Sequence, residues 1–267
     1  MAEEARLDSM PFVAYALDTI QADYGDRVSV DNKKKPLLKF GENEATGTTL
    51  SEVSTFPSGV LVETLSTTSN NITSVVSSHA SDTGTITYEG HYFNSGVLFF
   101  LPPTSVTLTG QTAVTLPTAM ARVTRAKSTS LAAMNGNVSF YEGGAITSGV
   151  PNTAANVHML LQAGATQTQK CATSISGTDY WIISDITATC LEKTSASSQV
   201  RVEVKSATSN IWYPLTQYVG VAEGSGTFHL QFDQYKIVPK NSDVRLVAIS
   251  SGANIHVAGG IAGWLAN

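Results

Sequence analysis

Five histidines, two cysteines and a scatter of acidic residues are the side chains here with reactive chemistry to offer. His79, His91, His158, His229 and His256 lie far apart, and none shows the HxH or HExxH spacing that sets two imidazoles on one metal ion. His229 and His256 could meet across strands, although two surface histidines on β-strands is the plainer reading. Asp179 and Asp185 flank Tyr180-Trp181 at a spacing of six, which would set both carboxylates on one face of a strand. Paired carboxylates do acid–base work, but without a second catalytic element these two read as strand-end caps and surface acids. There is no GxSxG nucleophile elbow. Gly259-Gly260-Ile261-Ala262-Gly263 has the glycine density of a phosphate loop, yet it follows no βαβ pattern and carries no lysine. Close backbone packing or a bulge accounts for it better. Cys171 and Cys190 form neither a metal spacing nor a CxxC, and they read as reduced thiols unless their strands are neighbours. The expectation is therefore a non-enzyme with no catalytic residues, no metal and no cofactor.

The elements that would position these residues are strands. Apolar residues make up 42% of the chain against 14% charged, which suits a sizeable core rather than disorder. Ser and Thr supply roughly a quarter of the residues, a bias toward strand faces and turns. A net charge of −5 argues against nucleic acid as a partner. No apolar run approaches the roughly 20 residues of a membrane span, so no membrane association is expected. The acidic start, Met1 to Arg6, lacks the apolar region of a secretory signal.

Residues 1–48 read as an arm. Phe12, Val13, Ala16, Leu17 and Ile20 have helical spacing after Ser9 and Pro11, with Tyr15 beside them, and such a short helix needs something to dock on. Lys33-Lys34-Lys35 follows, either a solvated loop or a grip on an acidic protein surface. Beyond residue 48, short strands recur at intervals of roughly 8–12 residues, the pattern of sandwiches and barrels. Ile72–Ser77, Ala121–Lys127, Val157–Leu161, Tyr180–Thr189, Gln199–Lys205, Val244–Ile249 and Ile255–Leu265 are among them. In Gln199–Lys205 the valines face one way while Arg201, Glu203 and Lys205 face the other, which predicts a solvated outer face. Gly143 to Asn156 has linker composition. The fold class is all-β: an extended N-terminal arm (1–48), a first β-sandwich (49–150) and a second, jelly-roll-like β-sandwich (151–267). The apolar final strand must be covered, by neighbours in its own sheet or by another subunit.

Three runs carry a resemblance: Ser74 to Thr85, Ser105 to Val114 and Ala121 to Ala126, followed by Asn135-Gly136-Asn137-Val138. Leu38 to Asn43, Leu161 to Thr168 and Tyr235 to Leu246 extend it. Together they resemble the "SSSxxDTxxG…VTLxGxTxV…RVxR" pattern of structural proteins of tailed bacteriophages, especially marine and cyanobacterial ones. His79 stands where that pattern has its third Ser, and Ile86 where it has Gly. The resemblance implies a virion protein, first a capsid decoration or cement protein. Its expected partners are the major capsid protein and further copies of itself in a homotrimer, and its expected place is the capsid surface of particles assembled in the bacterial cytoplasm. Phe12, Tyr15, Leu17, Lys33, Lys34 and Lys35 of the arm would then make the capsid contact. The alternative is a head-fibre, neck or tail component whose β-sandwich binds carbohydrate on a host surface.

Overall fold

The computed structural model describes residues 35–54, 65, 69–130, 132–190, 197–221, 226–252 and 255–266. These are strands, turns and one short 3₁₀ turn at Ala154–Asn156. The chain opens with β1 (Lys35–Thr46) and β2 (Ser51–Glu52). It continues through β3 (Ile72–Ser77), β4 (Thr85–Asn94), β5 (Val97–Thr107), β6 (Val114–Met120) and β7 (Arg122–Ser128). β8 (Val138–Tyr141), the small hairpin β9 (Ile146–Thr147) and β10 (Val150–Pro151), and β11 (Val157–Leu161) follow. Then come β12 (Ala172–Ile175), β13 (Tyr180–Cys190), β14 (Ser198–Ser206), β15 (Tyr213–Pro214) and β16 (Val219–Val221). β17 (Thr227–Val238), β18 (Ser242–Ser250) and β19 (Ile255–Ala266) complete the fold.

Two hydrophobic cores organise these strands. In one, the sheet β11-β8-β3-β6 packs on β5-β4-β7 through Val75, Phe140, Met120 and Leu161 from one side and Ile86, Tyr88 and Val123 from the other. In the second, β1-β19-β13-β17 packs on a sheet built around β18 and β14, with Trp181, Ile186 and Ile261 meeting Val202, Val244 and Leu246. Each is an antiparallel sandwich, apolar between its sheets.

The division along the chain differs from a simple head-to-tail pair. β1 and β2 belong to the second sandwich, with β1 on β19 and β2 on β18. The first sandwich is thus an insertion. The chain leaves near Ser54 and returns near Lys170, and these two residues form an isolated bridge. Insertions with adjacent ends leave the host core intact. The expected boundary at residue 150 falls inside β10, while β11, expected in the second unit, pairs with β8. Gly143 to Asn156 is the β9–β10 hairpin and its turns, not a linker; turn and linker compositions are the same. The stretch read as an arm also ends earlier, because Lys35–Thr46 is strand β1.

β19 shows how the sequence dictates its place. It lies between β1 and β13, so both rows of backbone groups are paired. A side chain at Gly263 would meet the Ile182 carbonyl at 2.1 Å, so the final glycines serve close strand packing. Trp264 is only 5% exposed and meets Tyr235 edge-on, with ring centroids 4.9 Å apart. β5 continues through Pro102-Pro103, where its register with β4 shifts between Leu101 and Thr104. It pairs with β4 alone, and an edge strand tolerates proline on its open side.

Candidate functional site: the seam between the two sandwiches

The sandwiches meet along a seam of buried charge. Arg122, at the start of β7, reaches Asp243 of β18 with two bonds, Nε to Oδ1 at 3.1 Å and Nη2 to Oδ2 at 2.8 Å. Both side chains are fully buried. Arg122 also donates to the carbonyls of Ala121 and Ala207, while the Ser174 hydroxyl donates to Asp243. Lys170 threads the same seam, donating to the carbonyls of Val123 at 3.0 Å and His158 at 3.5 Å. Burial pulls its ammonium down to about 8, with the charge of Glu52 opposing. Such pairs add little stability over apolar packing, but removing one partner is costly. They fix the seam.

The expected solvated face of β14 is part of this buried system. Glu203 is 2% exposed, accepting from Arg201 and, through Oε2, from Nε and Nη2 of Arg245 at 3.0 and 2.8 Å. Lys205, equally buried, donates to the Leu65 carbonyl. Trp212 lies over Arg245 and Lys205, and Tyr218 over Arg201, at 4.0, 4.7 and 4.3 Å to the ring centroids. Aromatic rings from the β14–β16 connection therefore cover charges that alternation alone would leave in water.

Beside the seam opens a cleft of about 650 Å³. β1 contributes Lys35 and Lys39, β4 Glu89 and His91, β5 Phe99 and Phe100, and the β12–β13 turn Ser176 and Asp179. Lys39 is 8% exposed, and among the described residues its ammonium has no hydrogen-bond or ion-pair partner. Burial lowers its pKa from the ordinary lysine range, and Glu89 only partly opposes this. His91 is held neutral, its pKa brought down to about 3 by burial and then by Lys39 and Arg122. Its ring meets Phe100 at 5.5 Å. Asp179 accepts from the hydroxyls of Ser176 and Thr178.

Of the candidates named from sequence, Lys35, His91 and Asp179 line this cleft. Lys35 stands exposed at its mouth; Phe12, Tyr15, Leu17, Lys33 and Lys34 lie outside the described residues. Asp179 and Asp185 are not partners. A bulge between Ile183 and Asp185 resets the strand, so Asp185 pairs with Ala262 and Gln231 on the outer face, 3.5 Å from His229. His229 and His256 stand on β17 and β19 with β13 between them, and His256 contacts Glu42 at 3.2 Å. Cys171 and Cys190 are buried free thiols. Among the described residues no group of three His, Cys, Asp or Glu side chains could hold a metal ion. No helix among them is long and apolar enough to cross a membrane.

The motif behind the phage resemblance builds a clasp. The buried Asp82 carboxylate accepts from the Ser77 hydroxyl at 2.6 Å, from the Asn135 amide and backbone, and from the Gly136 N–H at 2.9 Å. Burial alone would raise its pKa, but these bonds outweigh burial and hold it below the usual carboxylate range. Gly110, at φ +65°, donates to the Asp82 carbonyl, and a side chain there would strike the Ala80 carbonyl at 2.4 Å. The Asp, Asn and Gly of the pattern are thus structural.

No family model matches the chain, and no curated protein matches it. Among solved structures it is similar to one of the infectious bursal disease virus Gx strain, at 13% identity and a TM-score of 0.25, over 90% of this chain and 73% of that one. At that similarity no fold or function is transferred.

Proposed function

We propose that this protein is a structural subunit of a bacteriophage virion, a decoration protein that binds the outer capsid surface through the residues preceding β1 and reinforces contacts between major capsid subunits as a homotrimer. The observation that carries this reading is the anchorage of β1. Residues 1–34 run directly into Lys35, and β1 pairs with β19 in unbroken register from Lys35–Leu265 to Asn43–Val257. Tension on the amino-terminal segment would act along β1, loading these hydrogen bonds together and not one at a time. The strand holding β1 is itself paired on its far side, and the buried charge of the seam joins the two sandwiches. Leu38 and Phe40, 64% and 43% exposed on the edge strand β1, offer apolar contact to a neighbouring subunit.

The test is co-sedimentation with phage heads lacking the protein. Full-length chain should saturate them, and a chain beginning at Lys35 should stay in the supernatant while melting as before. Normal occupancy by the shortened chain would overturn the proposal. Changing Lys33, Lys34 and Lys35 to glutamate should weaken binding most at low salt, because screening shortens the field to about 10 Å at 0.1 M.

A further inference from the structure

The cleft beside the seam has the chemistry of a ligand site that the decoration role does not use. A lysine residue more than nine-tenths buried, with no hydrogen-bond or ion-pair partner among the described residues, is costly to keep charged. Lys39 lines the cleft, where Glu89 offsets part of that cost and an anionic group entering would offset more. The remaining walls narrow the choice. Glu89 and Asp179 face the same space, and they would repel a compact polyanion such as phosphate while accepting bonds from hydroxyls. Thr124, Thr173 and Ser176 also line the wall. Phe99 and Phe100, 38% and 49% exposed, stand at the mouth, where an aromatic ring can cover the C–H face of a sugar. A space of about 650 Å³ falls within the range of small-ligand sites.

We propose that the cleft binds a saccharide unit bearing a carboxylate, with Lys39 on the carboxylate, Glu89 and Asp179 on ring hydroxyls, and Phe100 on the sugar face. Because the cleft is walled by both sandwiches, the site exists only while the seam is closed. It also does not depend on whether the subunit sits on shell, neck or fibre.

The experiment is a titration of the full chain with glucuronate, glucose and inorganic phosphate, followed by saturation-transfer NMR and calorimetry. Glucuronate should bind at least about tenfold more tightly than glucose, roughly 1.4 kcal/mol, and phosphate should not compete. Lys39→Met should bring glucuronate down to the glucose level while glucose binding persists. Phe100→Ala, at the exposed mouth, should weaken both sugars alike, and it keeps the test valid if Lys39→Met fails to fold. Saturable glucuronate binding with these two patterns supports the site. Absence of glucuronate binding, phosphate binding as tight as glucuronate, or unchanged binding in Phe100→Ala would each overturn it.

Discussion

Replacing Arg122 by methionine removes the guanidinium from the seam and leaves the buried Asp243 carboxylate with the Ser174 hydroxyl and the Lys205 ammonium at 3.9 Å. Breaking a fully buried pair from one side costs about 3–5 kcal/mol. Neither core loses a packed apolar side chain, so the loss falls on the contact between sandwiches. All three tryptophans, Trp181, Trp212 and Trp264, belong to the second sandwich, so their fluorescence reports that unit alone, while far-UV circular dichroism reports both. In urea the two signals of the unaltered protein should trace one transition. In Arg122→Met they should separate, and at ~2–4 °C per kcal/mol the melting temperature should fall by roughly 6–20 °C. Arg122→Met combined with Asp243→Leu should recover part of the loss, because guanidinium and carboxylate leave together while Lys205 loses a carboxylate at 3.9 Å but keeps its bond to the Leu65 carbonyl. Coincident transitions in Arg122→Met, with a stability change under about 1 kcal/mol, would show that the charged seam does not couple the sandwiches.

Four further outcomes rest on contacts elsewhere in the fold. Asp82→Ala leaves the Gly136 and Asn135 amides and the Ser77 hydroxyl without their acceptor and should cost about 3–5 kcal/mol by urea unfolding. Because the folded pKa of Asp82 is depressed, its contribution is present above the unfolded carboxylate value of about 3.9 and is lost as pH falls further, so stability between about pH 5 and pH 2 should decline less steeply in Asp82→Asn. Glu203→Ala strands Arg201 and Arg245 and should cost about 2–4 kcal/mol, whereas Lys127→Ala on exposed β7 surface should stay within about 0.5 kcal/mol; equal shifts in melting would show that the face of β14 is solvated after all. Removing residues 255–267 strips the strand between β1 and β13 and should yield insoluble protein, while a soluble product of unchanged size by light scattering and unchanged melting would show that β19 is dispensable.

Strands with local signals were legible in the sequence. Ile72–Ser77 and Val157–Leu161 were read with the bounds they have, because short apolar runs between turn formers leave little choice. The core face of β14 was legible for the same reason, and Val200 and Val202 are fully buried. Its opposite face was not, since alternation separates two faces without saying what covers the second. Here Trp212 and Tyr218 arrive from a later connection. β1 was hidden by Lys35, Lys39, Glu42 and Glu44, which give it the charge of an arm, and by a partner strand more than two hundred residues away. A single bulge defeated the pairing of Asp179 with Asp185, because one extra residue moves a side chain to the other face. The cleft left no linear trace. Lys39, Glu89, Phe100 and Asp179 come from four separate segments, and the one local hint was the alternation of Leu37, Lys39 and Gly41 against Leu38 and Phe40.

A reconstruction of purified virus particles whose genome carries this sequence tests the proposed virion role most directly. Two sandwiches of this shape should stand on the outer face of the capsid shell as a trimer, with density running from Lys35 down to the major capsid subunits. Particles that lack the chain, or that carry it only inside the shell, would contradict the account.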